Sequence, residues 1–201
     1  IVKMAIKDKR DSLFEIVQSQ HGIFTTKQAV DAGYDRNTHP YQVKKGYWIR
    51  ECRGIYRQAH YHFDLESEYV IWSLWSRNRL DKPQGVYSHD TALAMFDLSD
   101  LNPSKLHMTV PPTFRKNCGT PDHLVLHRGE LEDRHVQDRG GYKVTKPMKA
   151  ILDLCREETV SRDLIAQAVT EGIKRGLITQ REKREASDSV AFPDWARPFF
   201  C

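Results

Sequence analysis

Cysteine is scarce and scattered in this chain of 201 residues. Cys52, Cys118, Cys155 and Cys201 form no C-x-x-C pair, which excludes the common zinc-finger spacing and a disulfide framework and leaves reduced thiols. Apolar runs of membrane-spanning length are missing, so no helical span and no membrane partner are expected. The charged opening residues Lys3, Lys7, Asp8, Lys9 and Arg10 contain no apolar secretory segment, and a cytoplasmic location is expected. A phosphate-cradling Gly-rich loop, an H-E-x-x-H pair and a nucleophile elbow are all absent, which removes the best-known catalytic signatures. Low-complexity tracts and internal repeats are absent too.

What the chain does have is a strongly patterned N-terminal third. Leu13, Phe14, Ile16 and Val17 recur at helical spacing, so Asp11 to Gln20 is predicted as an amphipathic helix with one buried face. Thr25 stands three residues before Gln28, the capping-box spacing that opens a second, short helix ending at Gly33. A third helix is predicted from about Asn37 to Lys45. Pro40 fits only in its first turn, where a missing N–H costs nothing, which places the start near Thr38. Within it, Tyr41 and Val43 are expected to face inward. The strand-like runs Y-W-I-R-E and G-I-Y-R flank Cys52-Arg53-Gly54, a hairpin signal. A helix-turn-helix followed at once by a hairpin is a winged helix.

Charge sharpens the expectation. Ile1 to His62 carries eleven Lys and Arg against six Asp and Glu, whereas Phe63 to Cys201 carries twenty against twenty-one. The net charge of +4 therefore resides in the N-terminal module, as attraction to phosphate requires. The candidate contacts to double-stranded DNA are Thr25, Thr26 and Lys27 at the second helix, Arg36, Asn37, Thr38, His39, Gln42, Lys44 and Lys45 at the third, and Arg50, Arg53 and Arg57 in the wing.

The remainder reads as α+β, a mixed α/β domain with a small sheet, and the expected division is 1–62 and 63–201. Asp64 caps a helix whose apolar face is Leu65, Tyr69, Trp72 and Trp75, assigned to the second core. Strands are expected at Val86 to Ser88, Lys105 to Val110 and His123 to Arg128, with weaker ones at Val136 and Gly141 to Thr145. Helices are expected at His89 to Phe96, from Pro147, after Ser161 and after Thr179. The terminal F-P-D-W-A-R-P-F-F-C is aromatic enough to pack on this chain or on a partner.

Two histidine features invite catalytic or metal chemistry. His89-Asp90 has general acid–base residue types, but neighbours on a helix point about 100° apart, so Ser88 and Asp90 are expected to serve the helix N-terminus instead. His60 and His62 share a side if extended, yet no third ligand follows at a recognisable spacing. No catalytic residue, metal site or cofactor is expected.

The winged helix, S-H-D-T-A-L-A-M-F-D-L-S-D, K-L-H-M-T-V-P and V-T-K-P-M-K-A-I-L-D-L together resemble the AbiEi antitoxins of type IV abortive-infection toxin–antitoxin systems. The likeness runs from about Leu13 to Thr179, and its most distinctive parts are S-H-x-x-A-L at Ser88 to Leu93 and R-G-I-Y at Arg53 to Tyr56. It implies a phage-defence regulator that represses its own promoter by binding inverted repeats. It also implies a nucleotidyltransferase toxin as functional partner, in many cases without a stable complex. The DNA-binding role then falls on the basic positions from Arg36 to Arg57, in a monomer or a dimer formed on DNA. The alternative is a protein-interaction or DNA-processing module that works with a separate catalytic subunit.

Overall fold

The computed structural model describes residues 9–187 and 194–200; Lys3, Lys7, Asp8, Cys201 and the first two residues of the terminal aromatic run lie outside them. The chain forms two compact units. One comprises the described residues up to Gln84 together with Asp138–Tyr142, and the other holds the rest. The expected division at 62/63 thus falls inside the first unit.

The first unit is the winged helix. Its elements are α1 (Lys9–Ser19), β1 (Ile23–Thr25), α2 (Thr26–Asp31), α3 (His39–Lys44), β2 (Trp48–Cys52), β3 (Ile55–Gln58) and α4 (Leu65–Trp75). Leu13 and Val17 of α1, Phe24, Ala29, Ala32, Tyr34 and Trp48 form its core, with Ile16, Val43, Tyr56 and Tyr61 packed against it. Phe14 was expected on the buried face of α1, but it is exposed: it follows Leu13 by 100° and turns out of the stripe set by Leu13 and Val17. The sheet has the order β1-β3-β2, antiparallel throughout, so Ile23 to Thr25 adds a strand to the predicted hairpin.

Asp64 caps α4 through a reciprocal bond with Ser67. The helix buries Tyr69, Val70, Ile71, Leu74 and Trp75 in the first unit, against β1 and β3. Leu65 is exposed and Trp72 half-buried, which corrects the expected face. Val70 and Leu74, four apart, centre the stripe with Tyr69 and Trp75 beside them, while Leu65 and Trp72 fall off it.

The second unit contains a five-stranded mixed sheet of order β6-β5-β4-β8-β7. These strands are β4 (Val86–Tyr87), β5 (Leu106–Val110), β6 (Leu124–Arg128), β7 (Val136–Asp138) and β8 (Lys143–Thr145). β4 runs antiparallel to β5 and parallel to β8, and β5 runs parallel to β6. Around it lie α5 (His89–Phe96), α6 (Pro147–Glu157), α7 (Arg162–Lys174) and α8 (Gln180–Ser187). Ser161 caps α7, and Thr179 and Glu182 bond reciprocally at the start of α8. Ser88 occupies the N-cap position of α5 without capping it; its hydroxyl meets His89 Nδ1 and accepts from Thr109 instead. The aromatic tail packs on its own chain. Ala196 and Phe200 are buried, and the Trp195 ring lies 5.0 Å from the Arg162 guanidinium while its indole N–H donates to Glu158.

Candidate nucleic-acid interface

The helix-turn-helix is assembled by short-range bonds that the sequence specifies. The Thr25 side chain accepts from the backbone N–H of Gln28, and the Gln28 side chain accepts from that of Thr25, so two free donors at the start of α2 are satisfied. Asp35 does the same for the single 3-10 turn Arg36–Thr38 that leads into α3, accepting from the Asn37 N–H at 2.8 Å. Pro40 lies in the first turn of α3, where no backbone donor is required.

The inward face of α3 differs from expectation. His39 and Val43, four residues apart, point into the core, and Tyr41 is 54% exposed. A helix turns about 200° in two residues, so Tyr41 and Val43 cannot share a face. That spacing was the available signal for His39. Pro40, Tyr41, Lys44 and Lys45 are left on the outside, and Lys45 Nζ stands 5.7 Å from the Tyr41 ring centroid. Tyr47, in the connection to β2, is also exposed. Neither tyrosine was among the expected contacts.

The wing is fastened to α2. Thr26 N–H donates to the Gly54 carbonyl at 3.0 Å, and the Arg77 guanidinium donates to the same oxygen. Register slips by one residue in β2, where Arg50 faces Tyr56 and Cys52 faces Ile55, leaving Glu51 as a bulge. Glu51 accepts from Arg57 Nε at 2.6 Å, and Arg57 also donates to the Tyr61 carbonyl and stacks over Phe63.

Three expected DNA contacts are therefore parts of the scaffold. Thr25 is buried and its hydroxyl donates to Asp81, which in turn pairs with Arg77. His39 is 2% exposed, its ring packed on Trp48 and Tyr56. Burial, and next to it the Arg36 charge, lowers its pKa and keeps it neutral. Arg57 is committed to Glu51 and Tyr61. Of the others, Lys27, Arg36, Asn37, Thr38, Lys44, Lys45, Arg50 and Arg53 are exposed, while Thr26 and Gln42 are half-buried. None of the six cations in that exposed set holds an ion pair among the described residues. Lys27 reaches only the Leu80 carbonyl, at 3.4 Å.

His60 and His62 are both exposed, and neither belongs to a group of potential metal ligands among the described residues. Among the described residues, no helix is long and apolar enough to cross a membrane.

No curated protein matches the chain significantly. Its fold is similar to that of the RV2827C protein from Mycobacterium tuberculosis, with a TM-score of 0.55 and 11% sequence identity over 96% of this chain and 77% of that one. At that identity the likeness concerns the fold alone. The more telling match is local to the exposed cations: residues 11–58, from α1 to the end of β3, match the family described as transcriptional regulator, AbiEi antitoxin.

Proposed function

We propose that the protein is a DNA-binding autorepressor and antitoxin of a type IV toxin–antitoxin system, acting in the cytoplasm against a nucleotidyltransferase toxin rather than catalysing a reaction itself. The observation that carries this proposal is the set of exposed, ion-pair-free cations on α2, on α3 and the turns that flank it, and on the wing: Lys27, Arg36, Lys44, Lys45, Arg50 and Arg53. A protein surface that keeps cations unpaired holds them for an external anion, and a winged helix offers them along a duplex. The family match of this module supports both the regulatory and the antitoxin parts of the proposal. α3 enters the major groove with Tyr41, Gln42, Lys44 and Lys45, while Arg50 and Arg53 of the wing hold the phosphates.

Anisotropy titrations against duplex DNA from upstream of the gene, across about 50 to 200 mM salt, test the assignment. Changing Lys44, Lys45 and Arg53 together to Ala lowers the slope of log K against log salt by about 0.9 for each phosphate that is no longer neutralised. Unchanged affinity and slope in the triple variant remove this surface as the DNA site. Restored growth on co-expression with a neighbouring nucleotidyltransferase gene tests the antitoxin half separately.

A further inference from the structure

The second unit gathers three histidines and a carboxylate that lie far apart in sequence. His89 opens α5, His107 lies on β5, His127 on β6, and Glu157 ends α6. β5 and β6 are parallel, with Thr109 paired to His127 and His107 paired to Val125, so the two strand histidines project from the same face of the sheet. Glu157 Oε1 lies 2.9 Å from His127 Nδ1 and 3.3 Å from His89 Nε2. One potential ligand atom from each of His89, His127 and Glu157 falls within 4.8 Å of the other two.

The remaining ring nitrogens are also held. His89 Nδ1 lies 2.8 Å from Ser88 Oγ, which accepts from Thr109 Oγ1 at 2.8 Å. His127 Nε2 lies 3.1 Å from His107 Nδ1. Each of the two histidines thus has one nitrogen fixed from behind and the other turned toward the same carboxylate. His89 takes a left-handed backbone conformation, φ 53°, to achieve this, a strain that only a well-determined environment maintains. Exposure rises from 6% of the His89 side chain to 17% at His127 and 37% at Glu157, so the site opens to solvent at the carboxylate.

We propose that His89 Nε2, His127 Nδ1 and the Glu157 carboxylate form a binding site for a divalent transition-metal ion, with zinc the best match, and that Ser88 and His107 orient the two imidazoles. Zinc takes nitrogen and carboxylate ligands at about 2.0–2.2 Å in tetrahedral geometry, which places ligand atoms about 3.3 Å apart. The observed separations from Glu157, 3.3 Å to His89 and 2.9 Å to His127, lie at and slightly below that value. The second nitrogens of metal-bound histidines are characteristically held by hydrogen bonds, as both are here. The His89 and His127 rings stack 13° from parallel with centroids 3.6 Å apart, so binding splays them while Glu157, at a helix end, adjusts. Three protein ligands leave a fourth position for water at the solvent-facing side. The site is independent of the DNA-binding proposal.

Calorimetric titration of the full-length, metal-stripped protein with Zn²⁺, paralleled by the visible spectrum on titration with Co²⁺, tests it. One ion per chain and a tetrahedral Co²⁺ spectrum are expected. Glu157→Gln and His127→Asn then lose at least tenfold in affinity, and Ser88→Ala loses about 10- to 100-fold as an outer-shell change. A His60→Ala, His62→Ala double variant binds as the unaltered protein does. Imidazole nitrogen shifts recorded on the unaltered protein provide the measurement that needs no variant: Zn²⁺ moves the signals of His89 and His127. Absence of Zn²⁺ binding, affinity that survives Glu157→Gln and His127→Asn, or shifts confined to His60 and His62 would each overturn the proposal.

Discussion

The imidazole of His39 packs against Trp48 in an edge-on contact, ring centroids 5.1 Å apart, and its Nε2 is buried without a hydrogen-bond partner. A buried polar atom left unsatisfied costs about 1–3 kcal/mol, so this histidine acts as an aromatic core residue that carries a penalty. His39→Phe keeps the aromatic contacts and removes the orphan nitrogen. Its urea midpoint is expected to equal or exceed that of the unaltered protein, with DNA affinity unchanged. His39→Ala, which opens a cavity, is expected to lose about 3 kcal/mol. A large drop in DNA affinity for a fully folded His39→Phe would return this residue to the DNA contacts.

The acid limb of stability follows from the buried histidines. The pKa values of His39, His89 and His107 are all lowered, each mainly by burial. The unfolded chain binds a proton on each near pH 6.5, whereas the folded chain resists until lower pH, down to about 3 for His89. Their contribution to stability is therefore complete above pH 6.5 and is lost as pH falls below it, by up to about 1.4 kcal/mol per pH unit for each histidine. Urea melts between pH 7 and 4 should show this decline, and His39→Phe should make it shallower. A midpoint that stays constant from pH 7 to 5 contradicts the picture.

Much of this architecture was legible because it is locally encoded. The caps at Thr25, Asp64, Ser161 and Thr179, and Pro40 in a first helical turn, are statements about a few consecutive residues. Orientation was harder. Tyr41 looks like the more apolar choice, but the 3.6-residue repeat selects His39 with Val43. Arg57 was indistinguishable from Arg53 until the bulge at Glu51 brought a carboxylate against it. The histidine cluster was out of reach for a different reason. His89, His107, His127 and Glu157 meet only because parallel pairing of β5 and β6 and the packing of α5 on α6 close long stretches of chain.

Arg53 and Arg57 should separate cleanly in experiment. Arg57 is largely buried, with its ion pair to Glu51 flanked by the Tyr61 carbonyl and the Phe63 ring. Arg57→Ala strands a carboxylate in a semi-enclosed position and is expected to cost about 2 kcal/mol of stability, with the salt dependence of DNA binding preserved in the folded fraction. Arg53→Ala is expected to leave the melting curve within about 0.5 kcal/mol and to lower the salt slope by about 0.9. Thermal melts beside anisotropy titrations read both quantities. Equal effects of the two variants on the salt slope would place Arg57 on the DNA after all.

Two glycines of the winged helix offer a test of how tightly the module is packed. Gly22 has φ +85° and Gly46 has φ +74°, so an added methyl group strains the backbone at either by about 1 kcal/mol. Their surroundings differ. A Cβ at Gly22 would stand 2.5 Å from Cβ and 2.7 Å from Cγ of Tyr61, whereas one at Gly46 meets nothing within 4 Å. Tyr61 cannot swing clear, because the clash involves the root of its side chain and not its tip. Gly46→Ala should therefore lose only the backbone strain, about 1 kcal/mol, and keep full DNA affinity. Gly22→Ala adds overpacking of about 1–3 kcal/mol and shifts the end of the wing, since Gly22 O accepts from Gln58 N–H at 3.0 Å. Denaturant melts of the two variants should differ by at least that overpacking cost, and comparable midpoints would mean that the turn before β1 yields far more readily than its contacts imply.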